Sequence, residues 1–137
     1  MAIVLADVGA AKILTQYFIT SAANLTLKLF ANNVTPGDTD TAGTYTEASG
    51  GGYAAKTLAA ASWTESNVAD IEQVAYASQV FTFTGALTTN PTIYGYYVVD
   101  AGGVLIYAEA ATAFTPANNG DAYTVPPKFQ LSKGTPT

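Results

Sequence analysis

From Ser21 onward the chain is a series of short runs of threonine, tyrosine, valine and phenylalanine. Turn formers break these runs at intervals of roughly 8–12 residues. This rhythm constrains the fold more than any other feature. Runs of that length suit strands. Their spacing leaves no room for the helical crossover of about a dozen residues that joins parallel strands. The expected fold is therefore mainly β, an antiparallel β-sandwich of jelly-roll or Greek-key type. A chain of 137 residues is expected to form it as a single domain, 1–137.

The runs differ in what they bury. Leu25–Leu29 alternates, so its leucines should face a core and Lys28 should face outward. The stretch 32–43, NNVTPGDTDTAG, reads as an exposed loop. Tyr45–Ala48 is expected to be a short strand, Gly50–Gly52 a flexible joint, and Tyr53–Leu58 a half-buried strand. Trp63, the only tryptophan, should anchor the core or a seam between two sheets. Ile71–Tyr76 and Val80–Thr84 read as strands, with Phe81 and Phe83 on one face. Ile93–Val99 is apolar on both faces and should be a central strand. It returns through the turn Asp100–Gly103 into Val104–Ala108, the strongest hairpin signal in the chain. Tyr123–Val125 starts a further strand. Pro126 and Pro127 then impose an edge or a break before Lys128–Leu131. Residues 134–137 read as a frayed or partner-docked tail.

One helix is expected, ahead of these strands. Asp7 is placed to cap a segment from about Val8 to Phe18, with Val8, Ala11, Leu14 and Phe18 on its buried face. Residues 1–6 precede it as a docking arm. Ala2-Ile3-Val4-Leu5 is apolar throughout, and either adds a strand to its own sheet or docks on a neighbour.

The chain contains no histidine, cysteine or arginine. It thereby lacks the side chain best suited to proton transfer near neutral pH, the most potent common nucleophile and the preferred clamp for phosphates. The serines have no histidine to activate them. An enzyme is not expected, nor is a cofactor. The net charge is −5 and the five lysines are scattered, so there is no basic stripe for a nucleic acid to follow. No run approaches the roughly 20 apolar residues of a membrane span, and residues 1–5 lack the basic flank of a signal peptide. Charged residues make up 11 % of the chain, against about 25 % in ordinary soluble domains. An outside so thinly charged is expected to be covered by partner subunits, a second copy of the chain among them.

Four groups of residues merit weighing as sites. Asp38-Thr39-Asp40 could offer oxygens to calcium, but the further acids of a calcium loop are absent and a solvated turn is the favoured reading. The pairs Asp70 with Glu72 and Glu109 with Asp121 could in principle perform acid–base work, but nothing in the sequence fixes their distances. Tyr94, Tyr96 and Tyr97 cluster on one run. Tyrosine suits interfaces and also stacks on sugars. The contact candidates are therefore Ile3, Val4, Leu5, Tyr94 and Tyr96.

Several segments taken together resemble a known group. These are LKLFANNVTPGDTDTAGTYTEASGGGYAAKTL, the lone Trp63, VFTFTGALTTNPTIYGYYVVDAGGVLIYAEA and NNGDAYTVPPKFQLS. The chain resembles small structural proteins of tailed bacteriophages from about residue 7 onward. The shared motifs serve packing and turns and carry no catalytic residue. The resemblance implies a virion component on the capsid surface, a decoration or cement protein. Its partners would be the major capsid protein and its own copies, as a trimer or dimer. The alternative reading is a tail or fibre module that binds a cell-surface glycan.

Overall fold

The computed structural model of the protein describes residues 4–20, 23–88 and 90–131. The chain is mainly β, its sheets are antiparallel and one α-helix stands at its start. Its contacts divide it into two compact units where one domain was expected. The first unit comprises Met1–Ala23, Ala59–Ala77 and Pro126–Thr137; the second comprises Asn24–Leu58 and Ser78–Val125. Among the described residues the antiparallel sheets have four, three and two strands.

In the first unit, helix α1 (Asp7–Leu14) packs on a sheet of order β3-β4-β9, formed by Thr64–Val68, Ile71–Ala75 and Lys128–Leu131. Its phase differs from the expected one. The N-cap is Ala6, and Asp7 is already helical. Ala10, Leu14 and Phe18 are buried, whereas Val8 is 81 % exposed. Four-residue steps overshoot the α-helical turn of about 3.6 residues. Beyond Leu14 the chain widens into π-type turns over Thr15–Thr20, which offset that drift and keep Phe18 over the sheet. Phe18 meets Trp63 edge-on at 5.0 Å and Phe129 at 5.3 Å, and Trp63 in turn meets Tyr76 at 5.2 Å. Trp63 thus anchors the core of this unit.

Strand β3 was not expected, because Val68 is its only apolar residue. It pairs with β4 through a two-residue turn, Ala69-Asp70, in which both residues have positive φ (51° and 62°). This is the I′ geometry that matches strand twist, here without the usual Asn-Gly.

The second unit holds the four-stranded sheet β2-β1-β6-β7, from Lys56–Leu58, Leu25–Phe30, Ile93–Val99 and Leu105–Phe114. Strand β6 is central and buried on both faces, as its sequence requires. Strand β7 forms the edge and is irregular at two points against β6. A two-stranded sheet, β5 (Gln79–Thr82) with β8 (Ala122–Val125), supplies the second layer. Rings join the layers: Tyr53 stacks on Phe81, Phe83 meets Phe114, and Phe114 meets Tyr123.

Two expected features of this unit differ. Tyr45–Ala48 is not a strand but a bridge, Phe30 to Glu47, with hydrogen bonds to both sides of it. Gly50–Gly52 is not a loose joint. All three residues have positive φ, and the segment is pinned by bonds from Thr84 N–H to Gly51 and from Thr88 N–H to Ser49. The prolines fall where the chain leaves β8 and enters β9, so they break one strand from the next. Residues 134–137 lie outside the described residues.

Candidate functional site

Two acidic side chains of the second unit, Asp40 and Asp121, hold its own loops. Asp40 accepts from Gly37 N–H at 2.8 Å and from the Tyr45 hydroxyl at 2.7 Å. The Tyr45 bond, then that of Gly37, holds its carboxyl below the usual range. Burial, with Asp40 behind it, pushes the Tyr45 hydroxyl up to about 12. The Asp38/Asp40 loop is thus clasped by its own protein groups, with Asp38 exposed. Asp121 accepts from Ala117 and Asn118 N–H, each at 2.8 Å, and these two bonds depress its carboxyl pKa. Of the carboxylates weighed as pairs, two bond to neighbouring side chains. Glu109 accepts from the Tyr96 hydroxyl, and Glu72 from the Asn67 side-chain amide. Among the described residues no group of three or more acids, cysteines or histidines could hold a metal.

The two tyrosines among the contact candidates are likewise turned inward. Tyr96 is 4 % exposed, so its ring is used up within its own unit. Tyr94 is half-buried against the cluster of Phe30, Tyr45, Tyr97 and Val99. Of the contact candidates, Ile3 lies outside the described residues, while Val4 and Leu5 are exposed and lead into α1 without joining a sheet.

Val4 and Leu5 belong to a larger feature that the sequence reading missed. The described residues include eight exposed large hydrophobic side chains, and five of them fall in residues 4–17: Val4, Leu5, Val8, Ile13 and Tyr17. Leu5, Gly9, Ile13 and Tyr17 recur in steps of four along the outer side of α1. With Lys12 and Gln16 they line a shallow, mainly apolar concavity. The floor at Gly9 is open: a Cβ there would touch only Leu5 Cδ1, at 3.5 Å. Lys12 is the one charged residue lining this concavity. The signal was present in the sequence, since Leu5, Ile13 and Tyr17 are too large and apolar to be indifferent on a helix surface. It was obscured by assigning Val8 to the core.

Lys12 and Gln16 are the polar side chains among an otherwise mainly apolar lining. Among the described residues no helix is long and apolar enough to cross a membrane. Compared with protein-family models, with curated proteins and with solved structures, the chain finds no match.

Proposed function

We propose that the protein is a structural component of a phage virion that docks on the outer surface of the capsid and clamps the major capsid protein lattice. The observation that carries this reading is the concentration of exposed apolar side chains on residues 4–17. Large apolar groups held together in water mark an interaction surface. Covering a fully exposed side chain of this size is worth roughly 1.5–3 kcal/mol, and Val8 approaches that exposure, while Ile13 and Tyr17 would contribute about half as much. A lattice presents the same complementary site many times. A dimer or trimer of the chain would then engage several sites at once, and modest contacts would sum to firm retention. The phage-like segments and the low charge content point the same way.

The test uses capsids stripped of the protein. Wild-type protein and the double variant Val8→Ser/Ile13→Ser are added, and occupancy is measured by cryo-electron microscopy. Both positions are more than half exposed, so the variant keeps its fold. Occupancy should fall by at least tenfold, the loss expected for about 1.4 kcal/mol of contact per site. Undiminished occupancy would remove the helix face from the interface. Failure of the wild-type protein to bind would remove the capsid reading altogether.

A further inference from the structure

Glu72 on β4 is only 3 % exposed, the one buried charged side chain among the described residues. The β3–β4 register sets Asn67 directly opposite it and Glu65 opposite Val74, so Glu65 is its diagonal neighbour on the same face. Phe129 lies beside Val74 on that face and carries the ring of Phe18. The carboxylate therefore lies on the side of the sheet that the helical segment covers. Asn67 Nδ2 donates to Glu72 Oε1. Oε2 is buried and no N–H or O–H donor reaches it. The register sets the carboxyl of Glu65 diagonally beside Glu72 on that face. Ionised carboxylates only accept hydrogen bonds, so the two can bond only if a proton lies between them.

We propose that Glu65 and Glu72 share one proton, and that this acid pair is a pH-dependent latch holding the β3–β4 hairpin under α1. Two bare carboxylates set side by side, one of them buried and short of a donor, would repel each other. The surrounding charges do not relieve this. On α1, Lys12 is exposed on the outer side, and Asp7 lies in line with Ala10 and Leu14 and adds negative charge. On β9, Lys128 pairs across from Ala75 and so belongs to the other face of the sheet. A proton is also a better fit than a metal ion. A hard cation such as calcium takes about six to eight oxygen ligands, more than two carboxylates and one amide supply.

The hydrogen bond to Glu72, then burial and repulsion, holds the Glu65 carboxyl above its ordinary value of 4.5. The folded state therefore binds this proton more tightly than the unfolded chain does. The stabilisation is complete below pH 4.5 and is lost as pH rises through the folded value. Asp40 and Asp121 are shifted downward, so they do not titrate in this window.

Two measurements test the latch independently of the capsid reading. In a carboxyl NMR titration of the wild-type protein, one glutamate should titrate clearly above the others. The folding equilibrium constant, followed by calorimetry, should fall by up to about tenfold per pH unit across that window. In Glu65→Gln the amide donates the missing hydrogen bond at every pH, so the dependence should flatten and alkaline stability should rise. The proposal is overturned if no glutamate titrates late, or if wild type and E65Q lose stability in parallel. It is also overturned if added calcium restores the alkaline stability of the wild-type protein, since a cation would then be the bridging species.

Discussion

Gly95 shows how closely single residues are fitted in the second unit. It sits in the middle of β6, where a Cβ would run into the Glu109 carbonyl and lie 2.6 Å from the Phe30 ring. Neither obstacle can yield, because one is backbone of the paired strand and the other is a fully buried ring. Gly95→Ala should therefore cost about 3 kcal/mol, read as a lower denaturant midpoint with an unchanged slope. A tolerated alanine would mean that β6 and β7 slide more freely than their pairing implies. The sequence alone could not single out this glycine among twelve. Its importance comes from a ring some 65 positions earlier in the chain, and no local pattern encodes that distance. The tyrosines beside it were legible only as a cluster. That Tyr96 turns inward to Glu109 depends on the β6–β7 register, which the sequence did not specify.

At the scale of elements, legibility followed contrast. Strands β1 and β6 and the β6–β7 hairpin were readable because their apolar residues alternate sharply or fill both faces. Strand β3 was not readable: four of its five residues are polar, and the turn after it carries neither Asn-Gly nor Asp-Gly. Helix α1 was found but rotated, because its alanines give too little contrast to tell the inner face from the outer. The same ambiguity hid the concavity along Leu5, Gly9, Ile13 and Tyr17. The turn itself offers a test. Ala69 holds a φ of 51°, a conformation that disfavours residues with a Cβ but which asparagine adopts readily. Ala69→Asn should stabilise the first unit by about 0.5–1 kcal/mol, seen as a higher melting temperature. A lower melting temperature would mean that the hairpin does not adopt the I′ geometry.

For the molecule as a whole, stability and docking make opposing demands at Gly9. A glycine inside a helix costs about 1 kcal/mol relative to alanine, and a Cβ at this position meets only Leu5 at ordinary contact distance. Gly9→Ala should therefore raise the melting temperature while filling the floor of the concavity and lowering capsid occupancy. A variant that gains both would show that the concavity receives nothing. The division into two units adds a separate point. Nine tyrosines accompany a single tryptophan, and that indole is enclosed by Phe18 and Tyr76 within the first unit. Fluorescence excited at the red edge of the aromatic band is therefore a private reporter of the helix-covered sheet. Comparing its melting curve with a whole-chain signal reveals whether the two units unfold as one.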